Sequence, residues 1–240
     1  MPPSAVVRIL QVARQENRNT LLEPEAKEFC RAYGMPTPDF GVARTESEAG
    51  KLAEKVTYPV VLKIVSQDIL HKSEAGGVLL DLRSRGEVEL GYQKLIERAK
   101  AYNNNARIEG VLVQHMAPNG VEVIVGGLRD SQFGPTVLFG LGGIFVEVLK
   151  DVTFRVAPLE ELDAREMVKE VHSYPILKGV RGQLAADEEA IVKIIQAMSR
   201  IMLDNSCVEQ MDLNPIIVYH SGASIVDARI ILNKNDAVHL

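Results

Sequence analysis

The segment DILHKSEAGGV, residues 68–78, places His71 and Lys72 just ahead of the glycine pair Gly76–Gly77. A neutral imidazole is a competent nucleophile toward phosphorus near pH 7. A glycine-rich turn lets backbone N–H groups point at an anion and lets the chain approach a polyphosphate closely. Upstream, Lys63 interrupts the apolar run PVVLKIV. A charge inside a strand built for burial needs a partner, because an unpaired buried charge is costly. A phosphate would serve, and so would escape to solvent along the lysine stem at a sheet edge. Together, Lys63, His71, Lys72 and the glycines describe a phosphate site with a nucleophile beside it. Singly, each has a plain reading as well: a surface histidine, a solvated lysine, a turn before a strand.

A second group lies near the C-terminus. MDLNP sets Asp212 and Asn214 two apart, on one face of a strand. SIVDARI places Asp227 in the next strand, and a hairpin through SGAS brings Asn214 and Asp227 nearly opposite each other. Oxygen ligands from adjacent strands suit Mg²⁺, whose other positions phosphates and waters can fill. The apolar surroundings, LNPIIV and SIVDARIIL, argue against a merely solvated face. Between the two groups, Glu122 opens the strand VEVIVGG, where it can accept from a ribose hydroxyl or stay in water. Gln114, His115 and Met116 begin QHMAP, a hinge whose backbone can read an adenine edge. The loop GLGGIFVEVLKD (140–151) fits neither the P-loop spacing nor the dinucleotide fingerprint. It reads as an anion nest or as a flexible loop beside a strand.

These residues sit in a chain of 240, which suits one large domain or two lobes. Hydrophobic residues at 46% and charged residues at 25% allow a real core. A net charge of −5 without a basic stripe argues against nucleic acid as the main ligand. Cys30 and Cys207 are far apart and in no metal spacing, so a reducing compartment is expected. Arg8 and Arg14 interrupt any signal-like run, and no stretch reaches the ~18 uncharged apolar residues of a membrane helix. The expectation is a soluble, cytoplasmic protein.

Helical spacing predicts helices over 4–17, opened by a capping Ser4, and over 21–34, with Pro24 in the first turn and Gly34 as the stop. Pro36 and Pro38 then hold MPTPDFGVA extended. Thr45–Glu48 and Ser84–Glu87 are capping-box patterns for helices to about Lys55 and Tyr102. Between them, YPVVLKIV and GGVLLDL (76–82) read as strands. Three further strands are predicted at 108–116, 121–129 and 134–140, then helices at 160–172 and 187–205, then the C-terminal strand pair. Strands that adjoin without helical crossovers favour antiparallel pairing. The one lobe boundary visible falls near Glu109–Met116.

The order of these pieces resembles an ATP-grasp domain. More narrowly, it resembles the β subunit of NDP-forming acyl-CoA synthetases, the ADP-forming acetate–CoA ligases, in the succinyl-CoA synthetase superfamily. GMPTP, YPVVLKIVSQDILHKSEAGGV, the long stretch from VLVQHMAPNGVEV to FVEVLKD, RVAPL and MDLNPIIV…SIVDARI carry the likeness over nearly the whole chain. It implies an α+β fold of two lobes with mainly antiparallel sheets. A helix at 1–22 would pack on the second lobe, 23–112 would form the first lobe with the phosphohistidine segment, and 113–240 the second. The resemblance gives Lys63 to the nucleotide phosphates, covered by Glu74, Gly76, Gly77 and Val78. Gln114, His115 and Met116 would line the adenine, Glu122 would hold the ribose, and Asn214 and Asp227 would ligate Mg²⁺. His71 would carry the phosphoryl group and Asp212 would steady it. The implied reaction converts acyl-CoA, ADP and phosphate to acid, CoA and ATP, and the reverse. No CoA or acyl site is read in the chain, so an α subunit is expected, in an α₂β₂ assembly. A self-contained ATP-grasp carboxylate ligase, needing no histidine nucleophile, and a non-catalytic nucleotide sensor remain alternatives.

Overall fold

The computed structural model describes residues 1–69, 71–143, 148–180, 182 and 184–233. These fall into two compact units. The smaller comprises Leu22–Pro24 and Pro38–Ala117; the larger comprises Met1–Leu21, Glu25–Thr37 and Pro118–Leu240. Contacts thus assign 25–37 to the larger unit, with helix α1 (Ser4–Gln15).

In the smaller unit, β1 (Phe40–Ala43), β2 (Val60–Ser66), β3 (Val78–Leu82) and β4 (Ile108–His115) form a sheet in the order β1-β4-β2-β3, every pair antiparallel. Two helices cover it, α3 (Glu46–Val56) and α4 (Arg85–Tyr102). Both begin at the predicted caps: the Thr45 and Ser84 side chains accept from the Glu48 and Glu87 amides. Each glutamate reaches back one residue further than a capping box requires, to the N–H of Arg44 and Arg83. The core joins Ala49, Ala53, Val88, Leu95 and Ala99 of the helices to Leu62, Ile64, Val111 and Val113 of the strands. The position of Lys63 follows from that order. β2 lies between β4 and β3, not at an edge, so its lysine has no route to solvent along the sheet.

The larger unit is built on six strands, β5 (Val121–Asp130), β6 (Gly134–Leu141), β7 (Val152–Val156), β8 (Val208–Val218), β9 (Ala223–Ile225) and β10 (Ala228–Leu232). Their order is β10-β8-β5-β6-β7 with β9 beside β8, again antiparallel. Helices α1, α2 (Glu23–Ala32, from Glu25 on), α5 (Glu161–Glu170), α6 (Tyr174–Leu177) and α7 (Glu188–Asp204) complete it. The core side of α7 is read from its repeat, Ile191, Ile194, Ile195, Met198, Ile201 and Met202, all buried with Val123, Val125, Val137 and Phe139 of the sheet. Val6, Leu10 and Ala13 put α1 into the same core. Its N-cap is Pro3, without a side-chain bond, so Ser4 is the first helical residue and not the predicted cap. Cys30, fully buried in α2, has its thiol pushed up to about 12 by burial. No helix among the described residues is long and apolar enough to cross a membrane.

Asp187 caps α7 and also binds the β8–β9 turn. Its carboxylate accepts from the amides of Ala190 (3.0 Å) and Gly222 (2.7 Å). The Gly222 bond, with those of Ala190 and Glu189, holds its pKa below the ordinary aspartate value against the opposing effect of burial. Asp187→Ala should cost about 1–2 kcal/mol at pH 7, the range for a lost N-cap. Because the folded pKa is depressed, this stability is present above the unfolded value near about 4 and is lost as pH falls through the folded value. Urea unfolding at pH 7 and pH 3 should show the two proteins converging in acid.

Candidate active site

The sequence-predicted residues fall into two groups, one in each unit. In the smaller unit, Lys63 sits mid-strand on β2 with its side chain 5% exposed. Its Nζ lies 2.7 Å from Oε1 of Glu23, whose side chain is 2% exposed. The other oxygen, Oε2, takes Nζ of Lys72 at 2.5 Å. One carboxylate therefore serves two ammonium groups. The alternative of a solvated Lys63 is overturned: the lysine is internal and paired.

His71 begins the turn that ends at Gly77. The Ala75 amide donates to the His71 carbonyl (3.2 Å), Gly76 to Ser73 (3.1 Å) and Gly77 to Lys72 (2.7 Å). The turn is anchored to β2 by the Ile64 amide, which donates to the Gly77 carbonyl at 2.9 Å. The His71 side chain is 63% exposed, and its Nδ1 stands 4.0 Å from Glu74 Oε1, beyond hydrogen-bond range. An exposed imidazole on a short turn beside two lysines is free to meet a phosphoryl group. Glu74 points to solvent, Val78 pairs in register with Lys63, and the Gly76 carbonyl accepts from Arg98 at 3.2 Å.

The two glycines have separate structural reasons. Gly76 adopts φ +61°, the left-handed region that favours glycine. At Gly77 a Cβ would stand 2.6 Å from Ile64 Cγ2 and 3.1 Å from the Lys72 carbonyl. A Gly77→Ala chain must push the turn off β2, and it should lose about 1–3 kcal/mol of stability in urea unfolding, the usual cost of overpacking.

At the hinge, Gln114 is fully buried on β4, paired in register with Phe40 and Val61. The His115 and Met116 amides already donate to the Asp39 and Pro59 carbonyls, each at 2.9 Å. Recognition of an adenine edge at this hinge would thus rest on carbonyls or side chains, not on these amides. His115 Nδ1 is 3.0 Å from the Thr57 carbonyl.

In the larger unit the register puts Asp212 between Gly126 on β5 and Arg229 on β10. The β8–β10 and β8–β9 registers, Leu213 opposite Ala228 and Ile216 opposite Ile225, set Asn214 across from Asp227. Met211, Leu213, Ala228 and Ile230 point into the core. By strand alternation Asp212 and Arg229 therefore lie on the other face. Burial, then the charge of Asp227, raises the Asp212 pKa, and Arg229 opposes the rise. Two carboxylates close enough to repel, with an amide oxygen beside them, fit a divalent cation, which would relieve that repulsion. No group of three or more His, Cys, Asp or Glu with metal-site geometry occurs among the described residues, so a cation here would keep waters or phosphate oxygens. Glu122 is exposed at the start of β5, and its carbonyl accepts from the Gly142 amide at 2.8 Å. Of the glycine-rich loop 140–151, residues 144–147 lie outside the described residues.

Three residues of these groups carry no motif and were missed by sequence reasoning. Glu23 falls in the first turn of the predicted helix 21–34 with nothing local to mark it. Lys27, also on α2 and fully buried, donates to the Val226 carbonyl at 2.7 Å, next to Asp227. Arg229 faces Asp212. Separately, a groove of about 370 Å³ in the larger unit runs past Tyr33, Met35, Asp187, Lys193 and Arg200. None of the predicted site residues lines it.

Two lobes of antiparallel sheet, one with a buried lysine and a glycine turn and the other with paired acidic strands, define the ATP-grasp class. The ATP-grasp domain family matches residues 12–232. The chain is 48% identical to the β subunit of acetate–CoA ligase [ADP-forming] I of Pyrococcus furiosus over 224 residues, 93% of this chain and 96% of that one. It is 44% identical to acetate–CoA ligase [ADP-forming] I of Archaeoglobus fulgidus over 91% of its length, which is 32% of that longer protein. The dinucleotide forming acetyl-coenzyme A synthetase 1 of Ca. Korarchaeum cryptofilum has been solved in two informative states. With coenzyme A, acetyl-coenzyme A and a phosphorylated phosphohistidine segment in the site I orientation, it matches at TM-score 0.89 and 49% identity, covering 95% of this chain and 100% of that one. With coenzyme A and Mg-AMPPCP, its phosphohistidine segment points towards the nucleotide binding site. That state matches at TM-score 0.85 and 46% identity, with the same coverage. The chain belongs to the family of β subunits of ADP-forming acetate–CoA ligases. The subunit naming and the longer one-chain relative together imply an α partner.

Proposed function

We propose that this chain binds ADP or ATP with Mg²⁺ and relays a phosphoryl group through His71 between the nucleotide and an α subunit that holds the CoA and acyl sites. The observation that carries the reading is the exposed His71 on a turn whose next residue, Lys72, shares the buried Glu23 with Lys63. The lone pair of the neutral imidazole attacks the terminal phosphorus of ATP. The N–P bond forms as the P–O bond to ADP breaks, and ADP carries away the electron pair. In the other direction the phosphoryl group leaves His71 for ADP.

The two ammonium groups of Lys63 and Lys72, held side by side by Glu23, suit the phosphate chain, where charge is spread over the equatorial oxygens during transfer. Asn214 and Asp227 would hold Mg²⁺, which would neutralise phosphate charge. Asp212, two residues before Asn214 on β8 and within reach of the Asp227 charge, would steady the phosphorylated histidine. Gln114, His115 and Met116 line the adenine and Glu122 meets the ribose. The assembly is α₂β₂, in the cytoplasm. A relay through a mobile histidine suits acyl and nucleotide sites too far apart for direct in-line transfer.

The test is incubation with γ-labelled ATP and Mg²⁺, with and without the α subunit. Acid-labile, base-stable label on this chain is expected. A chain that binds ATP but takes no label in the complex would refute the relay and favour a nucleotide-sensing role.

A further inference from the structure

We infer that Glu23 is a positioning residue: its carboxylate is a clasp that holds the His71 turn docked beside Lys63, through Lys72. The inference rests on the relay reading for its purpose, and on geometry for its existence. A carboxylate with a 2% exposed side chain is stable only when its oxygens are well met. Here each oxygen takes a different lysine, Lys63 at 2.7 Å and Lys72 at 2.5 Å.

The two lysines differ in what they are attached to. Lys63 is fixed in an internal strand. Lys72, 19% exposed, belongs to the turn and directly follows His71. The far end of the turn is fastened by backbone, through the Ile64 amide on the Gly77 carbonyl, and by Arg98 on the Gly76 carbonyl. The near end, where His71 stands, is tied by the Lys72–Glu23 ion pair. A tie made of charge can be exchanged. A phosphate arriving at the cluster competes with Glu23 for both ammonium groups, so the same anion that reacts at His71 loosens the clasp on it.

The test uses the full chain and three variants: Glu23→Gln, Lys72→Met and the double variant. Lys72→Met leaves Lys63–Glu23 intact, so it stays informative should Glu23→Gln fold poorly. The first readout is hydrogen exchange at the amides of Ala75, Gly76 and Gly77. Both single variants should exchange there at least ~10-fold faster, with the amides of β2 and β4 unchanged. The second is single-turnover labelling of His71 by ATP in the complex. Labelling should slow at least ~10-fold in each single variant, and the double variant should be no slower than the slower single, as one shared interaction requires. ADP affinity, by calorimetry, should be equal or tighter in Glu23→Gln. Wild-type exchange in the turn of both variants would overturn the clasp. So would a loss spread evenly over the sheet, the mark of a purely structural role. Absence of label on the wild-type chain, with the exchange effect intact, would instead overturn the relay and leave the clasp standing.

Discussion

His71→Asn should abolish turnover in the assembled enzyme, by at least ~10³-fold, while ADP binding stays within about threefold of wild type, as befits loss of a nucleophile. The reason lies in where the side chain is. At 63% exposure the imidazole supports nothing, and the turn beneath it is held by backbone bonds and by Lys72. An exposed substitution of this kind moves stability by no more than about 0.5 kcal/mol. Loss of activity with retained binding and an unchanged unfolding midpoint would separate chemistry from structure. Measurable turnover near the wild-type rate would show that phosphorus passes directly to or from the nucleotide, and the self-contained ligase would become the better account.

Lys63→Met is the second large effect. The lysine is internal, so its charge is held at a fixed point, and a charge-assisted bond to a phosphate contributes about 1.5–3 kcal/mol. ADP affinity should fall by about 10- to 150-fold, the same energy expressed as a ratio. The fold should survive at a measurable cost in stability, because methionine suits a buried strand and Glu23, deprived of one ammonium group, keeps Lys72 as a partner. Calorimetric titration with ADP, beside urea unfolding, checks both halves. If affinity is unchanged in the folded variant, Lys63 has a structural role and the phosphates bind elsewhere.

Much of the fold could be read from sequence because its signals are local. The caps at Thr45 and Ser84, the repeat of α7 and the antiparallel run of adjoining strands all appear where periodicity and capping chemistry place them. β7 was missed for a physical reason. Its core-side residues are Thr153 and Arg155, paired with Phe139 and Val137, while Val152, Phe154 and Val156 alternate with them on the other side. The polarity is inverted relative to an ordinary half-buried strand, so the alternation carries no warning. Ser4 was assigned to the cap by type, but the chain enters α1 at Pro3.

The site divides the same way. The register that sets Asn214 across from Asp227 follows from a hairpin and was legible. The partner of Lys63 was not. A buried lysine announces that it needs an anion, but among 32 acidic residues nothing local selects one 40 positions upstream. The same holds for the amides of His115 and Met116, whose acceptors, Asp39 and Pro59, belong to other strand ends.

The deep burial of both cysteines has a practical side. Cys30 has no exposed surface and a thiol raised to about 12, and Cys207 is 5% exposed. Since the thiolate is the reactive form, Cys30 offers almost none of it to a maleimide at neutral pH. The native chain is in effect silent to thiol reagents. A single cysteine placed at Ser73, beside His71, would therefore carry a spin label or fluorophore alone, and whether the turn changes position on nucleotide binding could be measured without first stripping the protein of its own sulfur.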